Sequence, residues 1–196
     1  MLNASKNLPI IKASDLKKSA KNKDAWDFLF HFTDKYFEML QESPEAMQDF
    51  NDSQRVLVAY NYLYGEVVNG GFIQMITNGV AYVFELPFSE IIKSWGANRV
   101  ADIVDRAKII YDENKDAFSQ GRDLMIAFSE ARAKVTSQKE ADKLSQKLWE
   151  EQSKIYDNIT GFEPLENEFY DCMDAETVVI KNYVENNIDK FGTIIE

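Results

Sequence analysis

Apolar residues recur at every third or fourth position through most of this 196-residue chain. That spacing places them along one side of an α-helix, whereas a half-buried β-strand requires strict alternation of apolar and polar residues. Glycine and proline, which interrupt helices, are scarce, with eight and four residues. The pattern therefore predicts an all-α fold, a single domain built as an irregular array of roughly eight to ten helices.

Helix boundaries are predicted from capping residues and from residues that break helices. Ser137 and Glu140 have the spacing of a capping box, and Gly121 indicates a break. Apolar stripes on 124–135 and 138–156 predict an antiparallel hairpin that projects from the domain. The predicted helices cover approximately 24–40, 43–50, 53–68, 72–77, 89–95, 97–118, 124–135, 138–156, 165–172 and 175–190.

The N-terminal region differs from the rest of the chain in composition. Residues 1–23 contain six lysines and one acid, Asp15. A segment of this kind buries little apolar surface, so we expect a basic, loosely held N-terminal arm with a short helical turn after Ser14. The helical domain then comprises residues 24–196.

Negative charge dominates the remainder of the chain. The protein has 33 Asp and Glu against 22 Lys and Arg, a formal net charge of −11, and residues 151–196 hold eleven acids and three lysines. Such a surface repels nucleic acid and anionic membranes and attracts basic proteins. A basic protein is therefore the predicted partner, with no direct nucleic-acid or membrane binding. The alternative is that the charge serves solubility alone.

Sequence features that would support catalysis or metal binding are weak. His31 is the only histidine, and Asp112, Asn114 and Asp116 mimic a calcium loop that lacks the required glycine and glutamate. Cys172 is the only cysteine, so no internal disulfide forms. The N-terminus does not resemble a signal peptide, and no apolar run reaches the length of a membrane span. These features predict a cytoplasmic protein that is not an enzyme, with no catalytic residues, metal or cofactor.

One segment is more specific than a generic helix. Glu66, Asn69 and Gln74 are polar residues in an apolar stretch, and the glycines between them indicate the end of a helix. The favoured interpretation is structural, with Asn69 near a helix C-cap and Glu66 bonded to a neighbouring helix N-terminus. The alternative is a small-ligand-binding or enzymatic domain centred on Glu66–Gln74, which requires an open cavity there. The full motif is Glu66, Val67, Asn69, Gly70, Gly71, Phe72, Gln74, Asn78, Gly96 and Ala97.

This motif resembles that of a bacterial family whose named member is an acidic DNA-mimic protein. The resemblance covers about 50–190 and is weaker from 120 to 160. It implies a mostly helical homodimer whose negative surface imitates the phosphates of duplex DNA and occupies a DNA-binding transcription factor. The motif itself identifies the fold, whereas mimicry depends on the surface charge.

The C-terminal part of the chain carries the predicted interaction surface. Helix residues three or four positions apart lie about 5–6 Å apart at Cβ, so carboxylates at that spacing approximate a row of phosphates. We expect a contiguous negative surface that only Lys154 interrupts; the competing interpretation is an ordinary solvated face. Its predicted members are Glu150, Glu151, Asp157, Glu163, Glu166, Glu168, Asp171, Asp174 and Glu176.

Overall fold

The computed structural model describes residues 8–22 and 24–196. Within them, 79% helix and almost no strand confirm the all-α, single-domain prediction. The helices are α1 (Ala13–Ser19), α2 (Trp26–Glu42), α3 (Asp52–Thr77), α4 (Phe88–Ser94), α5 (Asn98–Glu113), α6 (Lys115–Ala133), α7 (Gln138–Tyr156) and α8 (Phe162–Asn186). Short 3-10 segments cover Pro44–Gln48, Val80–Phe84 and Ile188–Lys190, and the two strands are β1 (Ile10–Lys12) and β2 (Thr193–Ile195).

Helix α3 lies at the centre of the core. Residues 56–60 are all buried, as expected for a helix that is apolar on nearly every side. The helix packs against α2, α4, α6 and α8. A capping box begins it: the Asn51 side chain accepts a hydrogen bond from the Gln54 backbone N–H, and the Gln54 side chain accepts one from the Asn51 N–H, both at 2.9 Å.

The predicted break after Val68 is confirmed, although both helical parts lie within α3. Gly70 has φ −163° and ψ 21°, and Gly71 has φ 80° and ψ −175°. The Gly71 conformation is essentially restricted to glycine, because a Cβ would clash with the backbone. The two glycines therefore separate a long helical segment from a short one that begins at Phe72.

Residues 8–22 differ from the expectation of a loosely held arm. Strand β1 pairs in parallel with β2, with Ile11 opposite Ile194, and the Thr193 N–H donates to the Pro9 carbonyl at 2.8 Å. Ile11 and Leu16 are buried in the main core. These two apolar side chains therefore anchor the otherwise basic segment. Residues 1–7 and 23 lie outside the described residues.

Helices α6 and α7 form the predicted hairpin, and Ser137 caps α7 by accepting the Glu140 N–H. Within α6 and α7, the only buried residues are Phe118, Gly121 and Ala141. The break predicted at Gly121 is wrong, because α6 continues through it and the chain breaks at Asn114 instead. Gly121 serves close packing: an added Cβ would lie 1.8 Å from the Tyr156 hydroxyl oxygen.

The C-terminal helix is a single element. Two helices, 165–172 and 175–190, were predicted, but α8 runs without interruption from Phe162 to Asn186. Pro164 lies in its first turn, where the missing N–H would have no partner within the helix. Neither glycine nor proline follows until Gly192, so nothing breaks the helix near residue 173. Its 25 residues place most of the predicted acidic surface on one rigid element.

Candidate protein-interaction surface

Glu166 has a structural task. Its Oε1 accepts a hydrogen bond from the Phe72 N–H at 2.8 Å, so it caps the helical segment that follows the glycine pair. A Cβ on Gly71 would lie 2.2 Å from the same oxygen. The glycine therefore opens the space that this carboxylate fills. Its inclusion in a freely exposed acidic surface is corrected, because the side chain is half-buried and engaged.

Glu176 is buried, with only 9% of its surface exposed. Its Oε2 accepts from the backbone N–H groups of Arg99 at 3.1 Å and Val100 at 3.3 Å. These are first-turn groups of α5, which have no partner within the helix, and the carboxylate also suits the positive end of the helix dipole. Glu176 is therefore a capping residue between α8 and α5, and its prediction as a surface residue is wrong.

Glu168 is partly neutralised by a neighbouring cation. It forms an ion pair with the Arg106 guanidinium, which also contacts Asp102 at 3.2 Å. Both pairs are substantially exposed, so they contribute little to stability. Their effect on the surface is to reduce the local negative potential where α5 and α8 meet.

Three of the predicted acids remain together on the solvent side of α8. Glu163, Asp171 and Asp174 are all exposed, and at 3.6 residues per turn they fall within a sector of about 80°. We call these three residues the acidic ridge. The α8 helix thus holds these three carboxylates on one side. They are the part of the predicted surface that the structure brings together.

Asp24, which lies just before α2, adds a negative charge that acts on Tyr64, and the sequence did not indicate it. Asp174 lies beside the Tyr64 hydroxyl, at 3.5 Å. Burial raises the pKa of Tyr64, and the nearby charges of Asp174 and Asp24 raise it further. Asp24 also accepts the Trp26 N–H at 2.9 Å, at the start of α2. The two carboxylates therefore lie close to one tyrosine although they are 150 positions apart in sequence.

The remaining predicted acids lie on or just after α7. Glu150 accepts from the Gln146 side chain at 3.0 Å, and Glu151 pairs with Lys147 at 3.6 Å. Asp157 is exposed at the end of this helix. Residues 115–156 carry eight Lys and Arg against seven Asp and Glu, a net charge of +1. The α7 acids thus belong to a hairpin of balanced charge rather than to the ridge.

The polar motif residues bond to one another. Glu66 Oε2 accepts from the Gln74 and Asn78 side-chain amides, both at 2.8 Å. Asn69 is exposed and helical. Glu66 thus bonds to side chains across the kink rather than to the neighbouring helix N-terminus that was predicted. These bonds tie together the two segments of α3.

A cleft of about 280 Å³ lies elsewhere, between the end of α3 and the base of the hairpin. Thr77, Tyr82, Arg122 and Tyr156 line it, whereas Glu66, Asn69 and Gln74 do not. The geometry therefore does not favour the alternative of a ligand site centred on Glu66–Gln74.

Within residues 8–22 and 24–196, no group of three His, Cys, Asp or Glu side chains is arranged to hold a metal ion. In the same residues, every helix is too short or too polar to cross a bilayer. Cys172 is buried, and burial raises the pKa of its thiol, which favours the protonated, unreactive form.

Comparison with known proteins agrees with this geometry. The model of a family described as "DMP19-like protein" matches residues 48–187. The chain belongs to this family. The match spans α3, the hairpin and α8 with its acidic ridge, whereas the two strands, α1, α2 and Asp24 lie outside it. Gly96, the last glycine of the motif, has φ 99° and lies against Val179 of α8, which places α4 and α5 against that helix.

One curated relative is the DNA mimic protein DMP19 of Neisseria meningitidis serogroup B (strain ATCC BAA-335 / MC58). It is 28% identical to this DMP19-like chain over 104 residues. The match covers 52% of this chain and 63% of the relative. The chain thus spans less than two thirds of the relative's length.

Proposed function

We propose that this DMP19-like protein is a non-enzymatic interaction module whose acidic surface occupies the DNA-binding face of a basic protein. The observation that carries the proposal is the acidic ridge, three exposed carboxylates on one side of α8. The name of the Neisseria relative supports the same class of function. The protein acts, in this proposal, as a DNA mimic.

The spacing of the ridge carboxylates determines how closely their charge density matches that of duplex DNA. Glu163 and Asp174 are eleven residues apart, or about 16 Å along the helix axis. A DNA duplex of that length carries about ten phosphate charges, whereas the ridge carries three. Asp24 adds one charge beside it. We therefore expect the ridge to direct the partner to α8, while the rest of the net charge of −11 adds a weaker, general attraction.

Two further properties belong to the proposal. We place the protein in the cytoplasm, where DNA-binding proteins are accessible, and we propose a homodimer, which the family resemblance implies. Sedimentation velocity at several protein concentrations measures the oligomeric state directly. A monomer at all concentrations would contradict the homodimer without affecting the binding proposal.

Capture from a cell lysate at low salt tests the function. The immobilised protein should retain DNA-binding proteins that are released by moderate salt and displaced by duplex DNA. A triple variant, Glu163→Gln, Asp171→Asn and Asp174→Asn, should lose most of this retention, because it removes the ridge.

A matched control removes the same charge elsewhere. Glu113→Gln, Asp123→Asn and Glu130→Gln alter exposed acids on α5 and α6 and should retain more of the binding than the ridge variant. If the captured proteins ignore both salt and DNA, or if the two triple variants behave alike, the proposed recognition through the ridge is wrong.

A further inference from the structure

Gly65 lies in the interior of a long helix and is exposed on α3. Among residues 8–22 and 24–196, an added Cβ would meet nothing within 4 Å beyond its own helix. Glycine in a helix interior is less stable than alanine. By contrast, a side chain at Gly70, Gly71 or Gly121 would clash with a neighbouring residue. The missing side chain at Gly65 thus leaves space only on the outer surface of the protein.

The surface around Gly65 combines exposed apolar and aromatic side chains with the polar Asn61 and Asn69, four positions before and after it on α3. Val68 lies one turn further along the same face of α3 and is 43% exposed. Phe30 of α2, 42% exposed, stacks on Trp26, which contacts Tyr64 with ring centroids 4.8 Å apart. We call Phe30, Gly65, Val68 and Tyr170 the α3 strip.

Tyr170 places the strip directly beside α8. It is 41% exposed, and its hydroxyl donates to the Val67 carbonyl at 3.0 Å. Tyr170 and Asp174 are four residues apart on this helix, so they occupy adjacent turns of the same face. The α3 strip therefore borders the acidic ridge at Asp174, which lies 3.5 Å from the Tyr64 hydroxyl, and the charge of Asp24 also acts on Tyr64.

The charges around the strip indicate the kind of partner that fits. A second copy of the chain would bring Asp24 and Asp174 towards the same residues of its partner, and like charges at close range oppose association. A segment with Lys or Arg beside an apolar stripe would instead satisfy the carboxylates and cover Val68 and the rings. That combination describes an amphipathic basic helix.

We propose that the α3 strip docks an amphipathic, Lys- or Arg-bearing helix of the basic partner, which crosses α3 at Gly65. A glycine at a crossing point allows two helix axes to approach closely, since packing distance depends on the side chains at the contact. The helix places its apolar stripe on Val68, Phe30 and Tyr170 and its cations near Asp24 and Asp174. This inference rests on the proposed function and names the element of the partner that the surface recognises.

A peptide probe tests the inference with the full chain. The probe is a labelled Lys/Leu peptide of about 18 residues, long enough for five helical turns, with leucines at helical spacing. A second peptide of identical composition has its order scrambled. By fluorescence anisotropy, the amphipathic peptide should bind at least tenfold more tightly than the scrambled one.

Gly65→Leu separates binding from folding. Leucine favours helix more than glycine does, so the variant should melt at the same or a higher temperature while its affinity for the amphipathic peptide falls at least tenfold. Ala127→Leu, at an exposed site on α6, is the matched control and should leave the affinity unchanged.

The alternative outcomes are distinguishable. If both peptides bind equally and only the ridge variant weakens them, the inference is overturned while recognition through the ridge stands. If Gly65→Leu changes the sedimentation of the protein alone, a second copy occupies the strip and the inference is also overturned. If neither peptide binds and the lysate yields no salt-sensitive DNA-binding protein, the proposed function fails and the inference fails with it.

Discussion

Carboxylates only three positions apart on α8 have different tasks. Glu163 faces solvent, whereas Glu166 accepts the Phe72 N–H in the space left by Gly71. A buried backbone N–H without an acceptor is costly, so the second carboxylate is committed to the fold and the first is free for a partner. At the residue scale, an acid on α8 has a structural role where a neighbouring backbone N–H requires an acceptor, and it is free for a partner where none does.

Gly71→Ala should destabilise the fold by about 1–3 kcal/mol, because the non-glycine residue is strained at φ 80° and its Cβ displaces Glu166. Urea unfolding measures the change. Gly65→Ala is the contrasting variant: its site is helical and open, so it should stabilise the protein by up to about 1 kcal/mol. If the two variants unfolded at the same urea concentration, the observed backbone conformation of the glycine pair would not be required for stability.

The contact between α5 and α8 depends on one buried acid. Glu176 accepts two first-turn N–H groups of α5, while Val100 and Ala101 are buried nearby. The α8 helix therefore has two faces with different functions. Glu176 holds α5 on the face opposite the acidic ridge, and Glu166 contacts the segment after Gly71 at the edge between those two faces.

Glu176→Ala should lower the free energy of unfolding by about 1–3 kcal/mol, since it leaves the Arg99 and Val100 N–H groups without their acceptor. Faster amide hydrogen exchange at Val100 should accompany the loss. Asp174→Asn, two positions away but exposed, should leave both measurements nearly unchanged. If the alanine variant were as stable as the asparagine one, the cap would have no role in holding α5.

Much of the element pattern could be predicted from the sequence, because apolar periodicity and caps are local signals. Ser137 and Glu140 correctly placed the start of α7. The errors occurred where a residue acts through a distant contact. Gly121 resembles a helix break but accommodates Tyr156 of another helix, and the pairing of Ile11 with the far end of the chain has no local signal.

The candidate surface was predictable only in part for the same reason. Spacing along α8 grouped Glu163, Asp171 and Asp174 correctly, but it also included Glu166 and Glu176, whose acceptor roles depend on α3 and α5. Asp24 was missed because its effect on Tyr64, which it shares with Asp174, arises from the packing of α2 and α8 against α3. Tertiary contacts, rather than helix periodicity, decide which acids remain on the surface.

Charge is unevenly divided over the whole molecule. The hairpin, residues 115–156, has a net charge of +1, whereas residues 157–196 carry ten acids and two lysines, a net charge of −8. An approaching basic protein is therefore attracted towards the α8 side and not towards the hairpin. The fold thus separates the negatively charged α8 side from a hairpin whose net charge is close to zero. In the proposed function, this difference orients the partner before contact.

This separation predicts how binding responds to salt. Raising the salt concentration from about 0.01 M to 1 M shortens the Debye length from about 30 Å to 3 Å. In stopped-flow measurements with the Lys/Leu peptide, the association rate constant should fall at least tenfold, while the dissociation rate constant changes less. The ridge triple variant should lose most of this salt dependence. The control triple variant has the same net charge as the ridge variant. It should retain more of the salt dependence, because its substitutions lie away from the surface that the peptide approaches. Equal losses of salt dependence in the two variants would show that total charge, not the ridge, directs association.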